Sequence, residues 1–342
     1  MKKWKLTLQV AATYIGTVVG AGFATGKEIV QFFTKYGSVG LVGILISGFF
    51  FIWLGSKMML MANEIKADSY QELNNYLFGS MVGKVVNVFT MIILFGITSV
   101  MLASTGAIAH EQLGLWPQLG MVLTMLLAYI SIMKGIEGIM IVNSLVVPMM
   151  LTFSVIIIFP YLQHIPFLHV SSIHLVTTDY SWALSPFLYI AFNLAMSQAV
   201  LVPLGSEIKD ETVIKRGALL GGIGLTFMMI ATHLALSNVP YTFQLEIPMS
   251  EVIKDVAVWV NWLFLLVIFG EIFTTLIGNV FGMARQVKSV LRISEHKAFM
   301  IILLLCFTVG QIGYGKLLEV LYPLFGYMGL AFIAMLCIKK VK

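Results

Sequence analysis

Charged residues are scarce in this chain: 21 Lys+Arg and 16 Asp+Glu make up 11% of its 342 residues, less than half the share of about 25% usual in soluble domains. With 59% hydrophobic residues and a mean hydropathy of +0.95, the shortage excludes an ordinary soluble globular protein and leaves a polytopic membrane protein. Cysteine is nearly absent. Cys306 and Cys337 both lie in apolar runs, so neither a disulfide framework nor a thiolate zinc cluster is available and both are packing residues. A basic domain is missing too: the net charge of +5 is spread in short clusters between apolar segments, which argues for membrane topology and against a nucleic-acid partner. No Ser/His or Cys/His pair and no His-Glu metal motif occurs within the apolar segments, which speaks against an enzyme, so no catalytic residue, bound cofactor or structural metal is expected.

What is present is apolar length. Ten segments reach the ~20 residues that a bilayer span needs, at approximately 6–34, 38–62, 82–109, 116–133, 137–161, 182–206, 214–238, 254–284, 297–315 and 317–338. Lys2, Lys3 and Lys5 precede the first in the manner of a signal peptide, but no small-residue cleavage site follows, so the segment is expected to be retained. With the N-terminus in the cytoplasm, only Lys27, Lys35, Lys254 and Lys316 of the 21 Lys+Arg fall outside, leaving 17 inside. That bias predicts cytoplasmic termini and an even number of spans. The inner loop 62–81 mixes both signs of charge with Asn74 and Asn75 and predicts a short amphipathic helix on the membrane surface. The outer loop 163–181 carries His164, His169 and His174 with Asp179; their five-residue spacing fits no zinc pairing, and it reads as a surface loop.

Five spans precede this outer loop and five follow it, so the second half enters the membrane from the opposite side, as an inverted repeat requires. The chain therefore reads as an all-α single transmembrane domain with a first repeat over 1–162 and a second over 182–342. Each half opens on an irregular span. In the first, Gly16-Thr17-Val18-Val19-Gly20-Ala21-Gly22-Phe23-Ala24-Thr25-Gly26 places four glycines in eleven residues, each weakening a helix by about 1 kcal/mol relative to alanine. In the second, Asn193, Ser197 and Gln198 lie at mid-membrane, followed by Pro203 and Gly205. Spans 1 and 6 are thus both expected to be discontinuous, and broken helices at matching positions mark a transport site. The competing reading takes Gly16-x-x-x-Gly20 and Gly22-x-x-x-Gly26 as helix-packing motifs. Gly217, Gly221, Gly222 and Gly224 in span seven have no polar neighbours at membrane depth and are read as packing residues. A dinucleotide loop is excluded, because Gly20-x-Gly22-x-x-x-Gly26 has the wrong spacing and no preceding strand.

The stretch Gly16-Thr17-Val18-Val19-Gly20-Ala21-Gly22-Phe23 resembles the unwound first helix of the LeuT-fold sodium symporters of the APC superfamily. The whole chain, with ten spans and the opening Gly-Thr-Val-Val-Gly-Ala-Gly-Phe-Ala-Thr-Gly-Lys-Glu, is similar to the YkvI family of bacterial membrane proteins. The resemblance implies a LeuT-type fold, the bacterial plasma membrane and secondary transport, with the carbonyls of Gly16 and Val19 as sodium ligands. In span eight, Gly270-Glu271-Ile272-Phe273-Thr274-Thr275 resembles the partner stretch, implying the Glu271 carbonyl and the hydroxyls of Thr274 and Thr275 as the remaining ligands, hard neutral oxygens suited to a monovalent ion. The N–H groups of Ala21 and Gly22 would receive a carboxylate or other anion of the solute, with Gly20, Phe23, Asn193, Ser197 and Gln198 completing the pocket. Phe23 and Thr17 stand where symporters with a second sodium site carry amides, and span five offers Asn143 and Ser144 but no central lysine, which favours one sodium site over proton coupling.

Glu271 is the one acid that this segmentation buries, so it is functional by default: a proton carrier, a carboxylate beside a cation, or a structural acid paired with Asn279 or His233. Lys27 and Glu28 fall at the outer end of span one, as an extracellular gate pair or as interface charges. The expectation is a cation-coupled symporter, by sodium or a proton, of a small organic solute such as an amino acid or related zwitterion. The alternative is a permease-like receptor that binds the solute without moving it.

Overall fold

The computed structural model describes residues 2–162, 181–237, 247–254, 258–311 and 329–340, and among them every regular element is a helix. In chain order these are α1 (Lys2–Val18), α2 (Ala21–Ala24), α3 (Lys27–Phe32), α4 (Ser38–Ile65), α5 (Tyr70–Phe78), α6 (Ser80–Leu113) and α7 (Pro117–Ile132). Then come α8 (Ile136–Leu162), α9 (Ser181–Glu207), α10 (Glu211–Ser237), α11 (Pro248–Ile253), α12 (Val258–Leu291), α13 (Glu295–Gly310) and α14 (Gly329–Ile338). By length and composition six can cross a membrane: α4, α6, α8, α9, α10 and α12. The other four apolar segments of the sequence carry shorter helices: α1 to α3, α7, α13 and α14. The outer-loop histidines and the first half of the tenth segment lie outside the described residues.

Burial sorts these helices into a centre and a periphery. The apolar window of α9 is 89% buried and that of α12 78%, against 44% for α8. Peripheral helices instead turn apolar side chains outward, as Leu45, Phe49 and Trp53 of α4 and Leu126 and Ile130 of α7 do, the surface expected of a protein solvated by lipid. Helix α1 packs on α8, α9 and α10. The contact with α10 is close because that helix presents glycine: a Cβ at Gly217 would run into Val10, one at Gly221 into Tyr14, and one at Gly224 into Ile15. These glycines are packing residues, as expected from the sequence. Tyr14, fully buried, donates its hydroxyl to the Phe51 carbonyl of α4 at 2.6 Å, so that α1 is fixed on two sides.

Between α4 and α6, α5 is the short amphipathic helix expected of loop 62–81, but Tyr70, Leu73 and Leu77 are buried in the protein, with α6 as the main packing partner. Asn74 donates to Asn87 of α6 at 2.9 Å, and Tyr70 bonds to Gln286 of α12. Helix α12 runs to Leu291, beyond the span expected to end at 284. Its extension carries Arg285, whose guanidinium meets Glu207 at the end of α9 (2.8 Å), Glu295 at the start of α13 (3.8 Å) and Asp68 before α5 (3.9 Å). Lys3 pairs with Asp210 at 2.8 Å and, with Thr212, holds that carboxyl well below the usual aspartate range.

Candidate functional site

The first span is interrupted as the glycines imply. Val19 still donates to Ile15 O at 2.9 Å, but the amides of Phe23 and Ala24 both turn to Gly20 O, at 2.9 and 3.1 Å. Regular α-helix would send Phe23 N–H to Val19 O, so the Val19 carbonyl leaves the ladder. The one-turn helix α2 follows, then Gly26 at φ 79, a left-handed conformation that a residue without Cβ adopts freely. Chain direction changes there and α3 starts. Helix α11 covers the turn, with Met249 N–H donating to Thr25 O at 3.0 Å.

The displaced carbonyl meets α12. Thr275 Oγ donates to Val19 O at 3.1 Å, and Gly20 approaches closely enough that a Cβ there would lie 3.5 Å from the same hydroxyl. The preceding residue, Thr274, donates its Oγ to Glu271 O, about one turn earlier, at 3.1 Å. Four of the five expected cation ligands therefore fall into two pairs, Val19 with Thr275 and Glu271 with Thr274. Gly16 faces α8, where a Cβ would collide with Oδ1 of Asn143. Asn143 is fully buried; its amide nitrogen donates to Ile139 O at 2.8 Å, while Oδ1 has no hydrogen-bond partner among the described residues. Orphaned neutral oxygens of this kind, like the carbonyl and hydroxyl oxygens at the break, are of the donor type that suits a monovalent cation. In the sequence Asn143 stood out only, with Ser144, as a polar residue of a span five that has no central lysine.

Between the break and α6, α9 and α12 lies a cavity of about 40 Å³, lined among others by Thr17, Gly20, Glu28, Met101, Phe192, Asn193 and Thr275. It has room for a few water-sized groups. Of the three polar residues expected from span six, only Asn193 lines it. Here the structure corrects the sequence reading: α9 is one continuous helix from Ser181 to Glu207, and span six is not discontinuous. The reason is local. Asn193 donates to Tyr189 O (2.9 Å), Ser197 to Leu194 O (3.3 Å) and Gln198 to Ala195 O (2.7 Å), so the donor groups are taken up by the helix's own carbonyls without unwinding it. Ser197 and Gln198 are fully packed away from the cavity.

Of the two readings of Glu28, the structure excludes the interface charge: the residue is 5% exposed and lines the cavity. The left-handed turn at Gly26 folds α3 so that the Glu28 side chain lies over Gly22, where a Cβ would strike the carboxylate. Lys27, beside it, is half-buried. Glu271, 1% exposed, faces a smaller cavity on the α8 and α10 side of the break, with Phe23, Ser154 and Thr232. Its Oε2 has no hydrogen-bond partner among the described residues, and the charge of Glu28 reaches it. The structural pairings expected for Glu271 are not made: Asn279 Nδ2 has no partner among the described residues, and His233 Nδ1 pairs with Thr34 Oγ at 3.1 Å. Among the described residues no three His, Cys, Asp or Glu gather as a metal cluster.

No family model matches the chain. It is 46% identical over 336 residues to the membrane protein YkvI of Bacillus subtilis (strain 168), a match that covers 97% of this chain and 95% of YkvI. The chain belongs to the YkvI family. YyaD of the same organism is 23% identical over 346 residues, covering 99% of this chain and 98% of YyaD. Among solved structures, this YkvI-family chain is similar to MhsT in complex with L-phenylalanine (TM-score 0.69, 15% identity, 96% of this chain and 88% of MhsT). It is also similar to Mhp1, a nucleobase-cation-symport-1 family transporter in a closed conformation with bromovinylhydantoin bound (TM-score 0.67, 15% identity, 96% and 77%). A manganese transporter of Eremococcus coleocola matches at a TM-score of 0.58 and 14% identity, over 97% and 79%. At these identities the likeness establishes the LeuT fold.

Proposed function

We propose that this protein is a secondary active transporter of the bacterial plasma membrane that moves a small organic solute through the cavity at the first break, coupled to a monovalent cation. The observation that carries this reading is the cavity where α1 is interrupted, walled by α6, α9 and α12 and joined to a carbonyl–hydroxyl pair, Val19 O and Thr275 Oγ. A purely structural glycine break needs no cavity. A broken helix beside one lends its freed backbone groups to a ligand. MhsT holds L-phenylalanine and Mhp1 bromovinylhydantoin, organic molecules of modest size, which supports the same class of cargo here. Sodium, held by oxygens of Gly16, Val19, Glu271, Thr274 and Thr275 with Asn143 beside them, is the coupling ion of this proposal. The full architecture proposed is ten spans in two inverted sets of five, 1–162 and 182–342, with both termini cytoplasmic.

The experiment is solute counterflow and gradient-driven uptake in proteoliposomes. An inward sodium gradient should concentrate the solute inside above its outside level, and a sodium ionophore should discharge it. Binding without accumulation under that gradient would leave a receptor and remove the transporter.

A further inference from the structure

We infer that the solute recognised in this cavity is a compact organic cation, held through a protonated amine by Glu28, and that it needs no carboxylate. The inference rests on the reading of the cavity as the solute site. An amino-acid substrate would place its carboxylate on the amides at the break, but in this chain a carboxylate is already built in there: the Glu28 side chain lies across Gly22 so closely that a single added methyl would overlap it. The same side chain lines the cavity and is 5% exposed. A solute carboxylate in that space would face a like charge with little water between them, whereas an ammonium would make a charge-assisted hydrogen bond.

The rest of the wall points the same way. Among the described buried residues there is no lysine or arginine, and the buried acids are Glu28 and Glu271. Glu271 is a second acidic side chain, behind the break, with one oxygen that has no hydrogen-bond partner among the described residues. The lining shared with Glu28 includes Phe192, Met101 and Met196, an aromatic and two polarisable thioethers. Such neighbours suit an alkylammonium better than an anion. Thr17, Asn193 and Thr275 are the other polar residues of the lining, able to read a hydroxyl. A volume of about 40 Å³ selects a small molecule.

The test uses four size-matched probes on the purified full chain in sodium buffer at pH 7: ethanolamine, ethylene glycol, glycolate and glycine. Calorimetric titration should give ethanolamine at least tenfold tighter binding than the neutral, anionic or zwitterionic probe. Glu28→Gln should weaken ethanolamine by about ten- to a hundredfold, the range for losing a hydrogen bond to a charged group, while Glu28→Asp retains part of the affinity. The wild-type series needs no variant to fold. Equal or tighter binding of glycine or glycolate, parity of ethanolamine with ethylene glycol, or no binding of any probe overturns the inference. Met196→Trp, which fills the cavity, keeps the two readings apart. If glycine is preferred and Met196→Trp abolishes its binding, the solute site stands and the cationic assignment falls; if bound probe survives Met196→Trp, the cavity reading itself falls.

Discussion

Replacing Thr275 by valine preserves the shape of α12 and removes one hydroxyl, the one that holds the Val19 carbonyl at 3.1 Å. Val19 is fully buried, so its carbonyl cannot turn to water, and Phe23 N–H is committed to Gly20 O. Removing one partner of a buried pair costs about 1–3 kcal/mol. At roughly 2–4 °C per kcal/mol for chains of 150–250 residues, and somewhat less for a longer one, the sodium-free protein should melt lower by about 2–12 °C.

Sodium sharpens the comparison. An ion at 100 times its dissociation constant adds about 2.7 kcal/mol of apparent stability, and Thr275→Val withdraws one of its oxygen ligands. Wild type should therefore gain several degrees when potassium is exchanged for sodium at constant ionic strength, Thr275→Ser should keep most of the gain, and Thr275→Val should lose it. The assay is a melting curve at one scan rate in one detergent. A Thr275→Val protein that melts with wild type in both ions would refute the reasoning, because neither the hinge hydrogen bond nor the cation site would then have energetic weight.

Two further outcomes follow from the glycines and from Arg285. Alanine at Gly20 meets only an ordinary contact with Thr275, while alanine at Gly22 meets the Glu28 carboxylate and at Gly16 Asn143 Oδ1; Gly20→Ala should bind solute normally, Gly22→Ala should lose it, and Gly16→Ala should lose sodium dependence first. Equal effects at all three positions, read by titration, would return the glycines to helix packing alone. Arg285→Ala removes ion pairs to Glu207, Glu295 and Asp68; since this side chain is 20% exposed and such pairs are screened, each contributes about 0.2–1 kcal/mol. Amide hydrogen exchange should rise in α5 and at the start of α13, and exchange unchanged there would show that the cluster does not clasp these segments.

The helix limits were legible because hydropathy alone sets them: apolar runs such as 116–133 and 182–206 match α7 and α9 within a residue. The break at Gly20 was legible for a related reason, since four glycines oppose a helix whatever surrounds them. Asn193, Ser197 and Gln198 were misleading because a polar residue in a span has two outlets, a broken backbone or a carbonyl one turn back, and sequence does not distinguish them. The interface reading of Glu28 failed because segmentation treats a span as a straight rod; the left-handed Gly26 turns the chain, and a residue at the outer end of the segment faces inward. The end of α12 was cut short at 284 because Arg285 and Lys288 look like a membrane boundary, although Glu207 and Glu295 draw them onto the protein.

In the proposed reading, the ion and the solute both sit against one very short element, α2. Helix α1 is fixed below the break by the α10 glycines and by the Tyr14 bond to Phe51 O. Above it, the chain from α2 to Thr34 is held by Thr25 to Met249 of α11, Phe32 to Ser185 of α9 and Thr34 to His233 of α10. Val19 with Thr275 lies at the lower end of α2, and Gly22 with Glu28 lies against its body. Coupling between a cation at the first and an ammonium at the second therefore needs no long chain of intermediaries; both ligands act on the four residues Ala21–Ala24. A unit of that length has no stable helical state of its own, so its conformation is set by whatever its two ends hold, and a change of occupancy at one end changes the orientation of the carboxylate offered at the other.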